Sequence, residues 1–437
     1  SSAGNPVSVS HPFTVDLTAV AISINTVASD DVINAAEKGT DLTLSGSTSG
    51  IESGQTVTVT FGGKTYTASV AANGSWSVNV PAADLATLPD GAANVQASVS
   101  SASGNSASAT HAYSVDASAP TLTINTIASD DILNATEAGS PLTISGTSTA
   151  ETGQTVTVTL NGATYSGNVQ ADGSWSVSVP PSALGALTAS NYTVSATVND
   201  KAGNPGSTSH NLAVDTTAPV LTINTVAGDD IINDAEHAQA LVISGTSSGG
   251  EAGDVVSVVL NGKTYTSTLD ASGNWSVGVP AADVTALGSG AQTITASVSD
   301  RAGNSDDASR TVTVSLSAPV ISINTIAGDD VINATEKGSD LTLSGTSDQP
   351  AGTAITVTLN GQNYSATTDA SGNWSVTVPA SAVSALGEAT YSVTASVTNA
   401  QGNSSTASHN VQVNTALPGV TINPVATDDI INAAEAG

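Results

Sequence analysis

Four tryptophans mark a fixed stride along this chain. Trp76, Trp175, Trp275 and Trp374 lie 99, 100 and 99 residues apart, each inside the phrase Gly-Ser/Asn-Trp-Ser-Val-x-Val-Pro. The pair Ile-Asn recurs with the same stride at Asn25, Asn125, Asn224, Asn324 and Asn423. A period of this length means an array of modules, each burying its own core. The complete copies are expected at 21–119, 120–218, 219–318 and 319–418. Residues 1–20 read as the end of a preceding copy and 419–437 as the start of a following one.

Within one copy the apolar residues alternate, the mark of strands with one buried face. In the second copy Leu122 and Ile124 begin the pattern, followed by Leu142 and Ile144, then Val156, Val158 and Leu160. Tyr165 to Val169 form a fourth run, and Trp175, Val177 and Val179 a fifth. Tyr192, Val194, Ala196 and Val198 give a sixth, Leu212 and Val214 a seventh. Asn161-Gly162 favours a tight hairpin, Asp172-Gly173 and Ala202-Gly203-Asn204 mark further turns, and Pro181 to Leu187 suits one helical turn. Seven short strands in about 99 residues predict an all-β chain of tandem seven-stranded Ig-like Greek-key β-sandwiches. Antibody-type cysteines are missing, and the Trp on the fifth strand is expected to pack the core.

Composition narrows the function. Lys+Arg number 7 against 37 Asp+Glu, for a net charge of −30. So few cations cannot hold a phosphate backbone, which excludes nucleic acid as a partner, and an anionic membrane surface would repel the chain. No apolar run is long enough for a membrane span. Cys is absent, so bracing must come from packing or from metal. The first residues show no basic segment followed by an apolar core, and we expect an internal stretch of a longer protein. Between Val115-Asp116 and Pro120 only three residues remain, and the φ-restricted Pro limits swing. From strand rise, four modules of about 35–40 Å would make an extended rod of about 150 Å.

One acidic phrase carries chemistry: Asp-Asp-x-Ile/Leu-Asn-x-x-Glu, in the loop between the first and second strands. It occurs as Asp30, Asp31, Asn34, Glu37; Asp130, Asp131, Asn134, Glu137; Asp229, Asp230, Asn233, Glu236; and Asp329, Asp330, Asn333, Glu336. A fifth copy is Asp428, Asp429, Asn432, Glu435. Strand direction places this A–B loop at the far end of its module, beside the Val-Asp joints that hold Asp16, Asp116 and Asp215. The F–G loop of the next module meets that end and brings Asp200 and Asp300. More than half of the chain's 37 acids thus gather at the joints. Hard oxygen ligands without Cys suit Ca²⁺, and these residues are its candidate ligands.

The same letters also fit a simpler role. Asn34-x-x-Glu37 matches a capping box for a one-turn helix, and Asp is common in turns. An enzymatic carboxylate pair is excluded by the lack of a nucleophile or His partner, and a non-enzymatic role is expected. Four of the five histidines, His11, His111, His210 and His409, share one phase of the final strand, where a solvated position is expected; His237 stands apart. The joints 116/200 and 215/300 should bind metal most strongly. The joint into the first module keeps Asp16 but offers Ser101, and the third joint carries Ser315 and Asn399. That third joint is expected to be the softest.

The near-100-residue period, Asp-Asp-x-Ile-Asn-Ala-x-Glu, Gly-x-Trp-Ser-Val and the Val-Asp-x-x-Ala-Pro joint together resemble the bacterial Ig-like repeats of giant type-I-secreted adhesins. The similarity spans the chain and is greatest to the Bap-like, biofilm-associated family of enterobacteria. It implies a long stalk on the bacterial cell surface or in the biofilm matrix, joints stiffened by calcium, and a part in cell adhesion and biofilm formation. Neighbouring repeats of the same chain are the expected partners. A host or bacterial surface receptor, a glycan, or homophilic self-association is the alternative.

Overall fold

The computed structural model describes residues 4, 8–423, 430, 431 and 433. Two compact units divide the chain between Thr217 and Ala218, and each holds two sandwiches. The fifth acidic phrase, Asp428, Asp429, Asn432 and Glu435, lies outside the described residues.

The first sandwich shows the plan. Its strands are β1 (Ala21–Ile24), β2 (Val32–Ile33), β3 (Leu42–Ser49), β4 (Thr56–Phe61), β5 (Lys64–Ser69), β6 (Ser75–Val80), β7 (Gly91–Ser100) and β8 (Ser106–Val115). One sheet has the order β1-β3-β6, the other β2-β8-β7-β4-β5. Neighbours are antiparallel except β2, which runs parallel to β8 with Val32 opposite Ser114 and Ile33 opposite Val115. The same two sheets recur around 220–314 and 321–413. In 122–214 the strand equivalent to β1 is reduced to a single bridge between Leu122 and Ser148. The all-β tandem Ig-like class expected from the sequence is therefore the observed fold.

Eight strands stand where seven were expected, because the first strand is split. After β1 the chain crosses from one sheet to the other through residues 25–31, as sandwich corners commonly do, and rejoins as β2. Each copy also adds a one-turn helix after this crossing, in the first sandwich α1 (Ala35–Lys38), besides the turn after the Trp strand, α2 (Ala82–Leu85). In the fourth copy the added turn is a short 3-10 piece, Glu336–Gly338.

Each sandwich owns one core, and the tryptophans sit in them at 1–3% exposure, as core residues. Trp76 lies opposite Gly46 in the β3–β6 pairing, and Trp175, Trp275 and Trp374 face Gly146, Gly245 and Gly345. A Cβ on Gly146 would stand 1.9 Å from the Thr123 carbonyl oxygen and 2.7 Å from Trp175 Cζ2. The glycine lets the first strand lie over the indole. Asn161 and Gly162, at φ 48° and 77°, form the tight hairpin expected of them.

Candidate functional site: the loop and joint between repeats

The crossing loop is built by its own acids. Asp30 Oδ1 accepts the Val32 amide at 3.0 Å and shapes the turn into β2. Asp31 sits at φ 66°, a backbone that short polar side chains tolerate because they bond locally. Its Oδ1 accepts the Val27 amide at 2.8 Å across the loop. Asn34 and Glu37 form a reciprocal capping box, Asn34 Oδ1 accepting from Glu37 N and Glu37 Oε2 from Asn34 N, each at 3.0 Å. Asp130, Asp229 and Asp329 repeat the turn contact to Ile132, Ile231 and Val331. Asp131, Asp230 and Asp330 repeat the loop contact to Ile127, Val226 and Ile326. The box recurs in Asn134/Glu137, Asn233/Glu236 and Asn333/Glu336.

A nitrogen-bearing side chain on the last strand completes the loop. His111 Nε2 stands 2.6 Å from Asp31 Oδ1, and His210 and His409 stand 2.7 Å from Asp131 and Asp330. In the third sandwich Arg310 takes this place, with Nε 2.6 Å and Nη2 2.5 Å from the two oxygens of Asp230. These histidines are thus not the solvated strand positions expected from their phase. The sequence did show them in register, but their partners lie about 80 residues away. The Val27 amide and then His111 hold the Asp31 carboxyl below its ordinary value. Arg310 does the same for Asp230. Burial pulls Asp131 upward, and the Ile127 amide with His210 outweighs it.

The joint of the first unit brings three chain segments together. Asp200 is 8% exposed, and its two carboxylate oxygens accept the backbone N–H and the Nδ2 of Asn204, at 2.8 and 2.9 Å. Asn204 Nδ2 also donates to the Asp116 carbonyl oxygen at 2.9 Å, and its Oδ1 accepts the Ala35 amide of the preceding repeat at 2.8 Å. The expected meeting of an A–B loop, a Val-Asp joint and the next F–G loop therefore occurs. Its hub is Asn204, which the sequence displayed only as part of a turn signal. The Asp116 carboxylate itself accepts from Ser118 N at 3.3 Å. At the earlier joint Asp16 turns to Thr18. Asp215 lies two residues before the end of the first unit, where it accepts from Thr217 N at 3.1 Å. Asp300 belongs to the second unit, buried at 9% exposure beneath Asn304.

Among the described residues no three His, Asp or Glu side chains converge as a ready-made metal cage. The donor set at Asn204 nevertheless fits a hard cation in kind. It is a buried carboxylate with no base against it, a linker carbonyl and the acidic loop of the preceding repeat, all oxygen ligands of the type Ca²⁺ takes.

No helix among the described residues is long and apolar enough to cross a membrane. A family model for the bacterial Ig-like domain matches residues 119–216, 221–316 and 317–415. Among curated proteins none matches the chain. Among solved structures, a Ca²⁺-stabilised adhesin that helps an Antarctic bacterium bind ice is 37% identical over 92% of this chain and 100% of its own, with a TM-score of 0.40. A 1.5-MDa bacterial ice-binding adhesin is 37% identical over 68% of this chain and 98% of its own, at 0.39. A tetra-tandem repeat from the extending region of a large adhesion protein is 26% identical over 91% of this chain and 100% of its own, at 0.37. With three matched stretches covering most of its length, the chain belongs to the bacterial Ig-like domain family.

Proposed function

We propose that this chain is a stalk segment of a large bacterial surface adhesin, exported to the cell exterior, whose joints are stiffened by calcium in support of adhesion and biofilm formation. The observation that carries this reading is the buried carboxylate of Asp200, bound to the Asn204 that itself bonds the Asp116 linker and the A–B loop of the preceding repeat. A carboxylate withdrawn from water without a base to answer it favours a bound cation. Asp116 and Asp200, with Asp30 and Glu37 from the facing loop, are the residues that would hold the ion. Calcium would supply there the positive charge that seven bases in 437 residues do not. The repeats themselves do no chemistry. They space and orient whatever lies beyond them.

Titration calorimetry with calcium should show saturable binding in the affinity range of extracellular modules, about 10⁻⁴–10⁻³ M. Chelation should lower the melting temperature, because an ion bound only to the folded chain stabilises it by mass action. Substituting Asp116→Ala with Asp200→Ala should abolish one binding event and leave the sandwiches folded. Heat no greater than that of dilution, with a melting curve unmoved by chelator, would refute the calcium reading.

A further inference from the structure

The capping box leaves a gap that the next repeat fills. A helix start exposes backbone donors that the helix itself cannot satisfy. In α1 the box uses the amides of Asn34 and Glu37, and the Ala35 amide points out of the sandwich. Its acceptor is Asn204 Oδ1, 169 residues on and in the following repeat. Asn204 is 1% exposed, and both its Nδ2 donors and its Oδ1 are used, the donors on Asp200 and the Asp116 carbonyl.

The second unit repeats the arrangement with altered neighbours. Asn403, 3% exposed, accepts the Asp234 amide at 2.7 Å and donates from Nδ2 to the Ser315 carbonyl at 2.8 Å. Asn399 stands where Asp200 stood, and its Oδ1 still accepts the Asn403 amide at 2.9 Å. Gly402, at φ 83°, lets the loop close onto the preceding repeat. A Cβ there would lie 2.9 Å from Asn233 Nδ2. The linker half of the contact recurs at Asn105, whose Nδ2 donates to the Asp16 carbonyl at 3.2 Å. Ser315 in place of Asp116 and Asn399 in place of Asp200 are the two changes that would remove metal ligands. The second also removes the carboxylate oxygen that Asn204 Nδ2 uses, and Asn399 Nδ2 donates instead to the Ser317 carbonyl at 3.0 Å. Both bonds to the preceding repeat remain.

We propose that Asn204 and Asn403 are direct locks between successive repeats, each bonding the linker and the A–B loop of the repeat before it, so that these joints hold their angle without a metal. The end face of a repeat is thus an interaction surface for a second repeat, read by the backbone amide after the capping Asn. Each lock contact is a buried amide bond, and removing one partner strands the other. The calcium reading concerns added stiffness at acidic joints. This one concerns the angle that remains when calcium is gone, and it extends to the joint that lacks the acids.

The full chain has no Cys, so two introduced cysteines give a unique pair for spin labels. Ser69→Cys and Asn168→Cys occupy equivalent exposed positions in the first and second sandwiches. Their distance distribution is measured by pulsed dipolar spectroscopy in excess chelator. We expect one narrow distribution, broadened about twofold or more by Asn204→Ala. Ala35→Pro removes only the facing N–H at a helix position that Pro favours, after an Asn already at ψ 178°, so the sandwich stays folded. It should broaden the distribution equally, and the double variant no further. Thr268→Cys with Thr367→Cys reports Asn403→Ala in the second unit in the same way. The proposal is overturned if neither Asn204→Ala nor Ala35→Pro changes the width, or if the parent in chelator is already as broad as the variants. Repeating the series with calcium separates the two readings. If calcium fails to narrow the broadened Ala35→Pro variant, which keeps every acid, the calcium reading is overturned, while the chelator series still decides this one.

Discussion

Replacing His210 by Arg should stabilise the second sandwich, because it imports the loop pin of the third. His210 offers Asp131 one contact, at 2.7 Å. Arg310 makes four: two to the Asp230 carboxylate, one to the Ile223 carbonyl at 3.0 Å and one to Thr225 Oγ1 at 3.0 Å. The acceptors exist in the second sandwich as Ile124 and Asn125-Thr126 at the same loop positions. Three added hydrogen bonds would give about 0.5–1.5 kcal/mol each if sheltered. These side chains are 27–38% exposed, so screening reduces the gain, and ordering a long side chain costs up to about 2 kcal/mol. The net expectation is about 1 kcal/mol, or a rise of about 4–8 °C in the melting of a domain near 100 residues.

Four similar modules melt close together, so the assay must resolve them. Hydrogen exchange read by mass spectrometry on peptides from 122–214 isolates the second sandwich, with the other three as internal references. Slower exchange should concentrate in the amides of 127–135, the loop that Asp131 ties. The reciprocal Arg310→His should speed exchange in 226–234 by a similar factor. If His210→Arg leaves the second sandwich unchanged and Arg310→His leaves the third unchanged, the last-strand side chain is not what holds the loop.

Three further outcomes follow from the same geometry. Gly146→Ala should cost the second sandwich at least about 2 kcal/mol, since its Cβ meets a carbonyl at 1.9 Å; exchange rates equal to the parent's would show that the Trp175 contact tolerates crowding. Ser129→Gly should stabilise by about 0.5 kcal/mol, because Ser129 sits at φ 71° where the third and fourth copies carry Gly228 and Gly328; a lower melting point would contradict the strain argument. Stability should be flat with pH above about 5 and fall as pH drops through the ordinary Asp value of 3.8 and on through the folded values, since Asp31, Asp230 and Asp330 are held below it in the fold and lose their stabilising charge there; acid titration followed by circular dichroism tests it, and an onset well above pH 5 would point to other groups.

The strand framework was legible because alternation, turn glycines and a fixed period all point the same way. Val156, Val158 and Leu160 face the core as read, and Asn161-Gly162 turns as read. The split of the first strand was not legible. Ile132-Leu133 is too short to show a period, and its place beside the last strand depends on a parallel pairing with residues about 80 positions away. The loop pin escaped for a related reason. His210 looks like any polar residue on the outer face of a strand until the crossing loop folds over it.

The acidic phrase illustrates what spacing can and cannot decide. Capping and metal binding both call for Asp, Asn and Glu, because both need oxygen atoms held near backbone amides. The structure gives each of those side chains a local bond first, so the phrase builds a loop whatever else it binds. Its consequence for the joint then passes through an atom that no side-chain motif displays, the amide of Ala35. Position 35 tolerates many residues, since only its N–H is used: Asp234 serves at the equivalent place before Asn403. The selective half of the contact is the asparagine, which must donate and accept at once. Asp there would lose the donors and Ser would lose the reach. The Asp-to-Asn change at 399 removes a carboxylate that could serve as a ligand. Toward the next asparagine's backbone N–H, Asp200 and Asn399 accept alike, so the third joint loses charge and one side-chain bond while keeping both bonds to the preceding repeat.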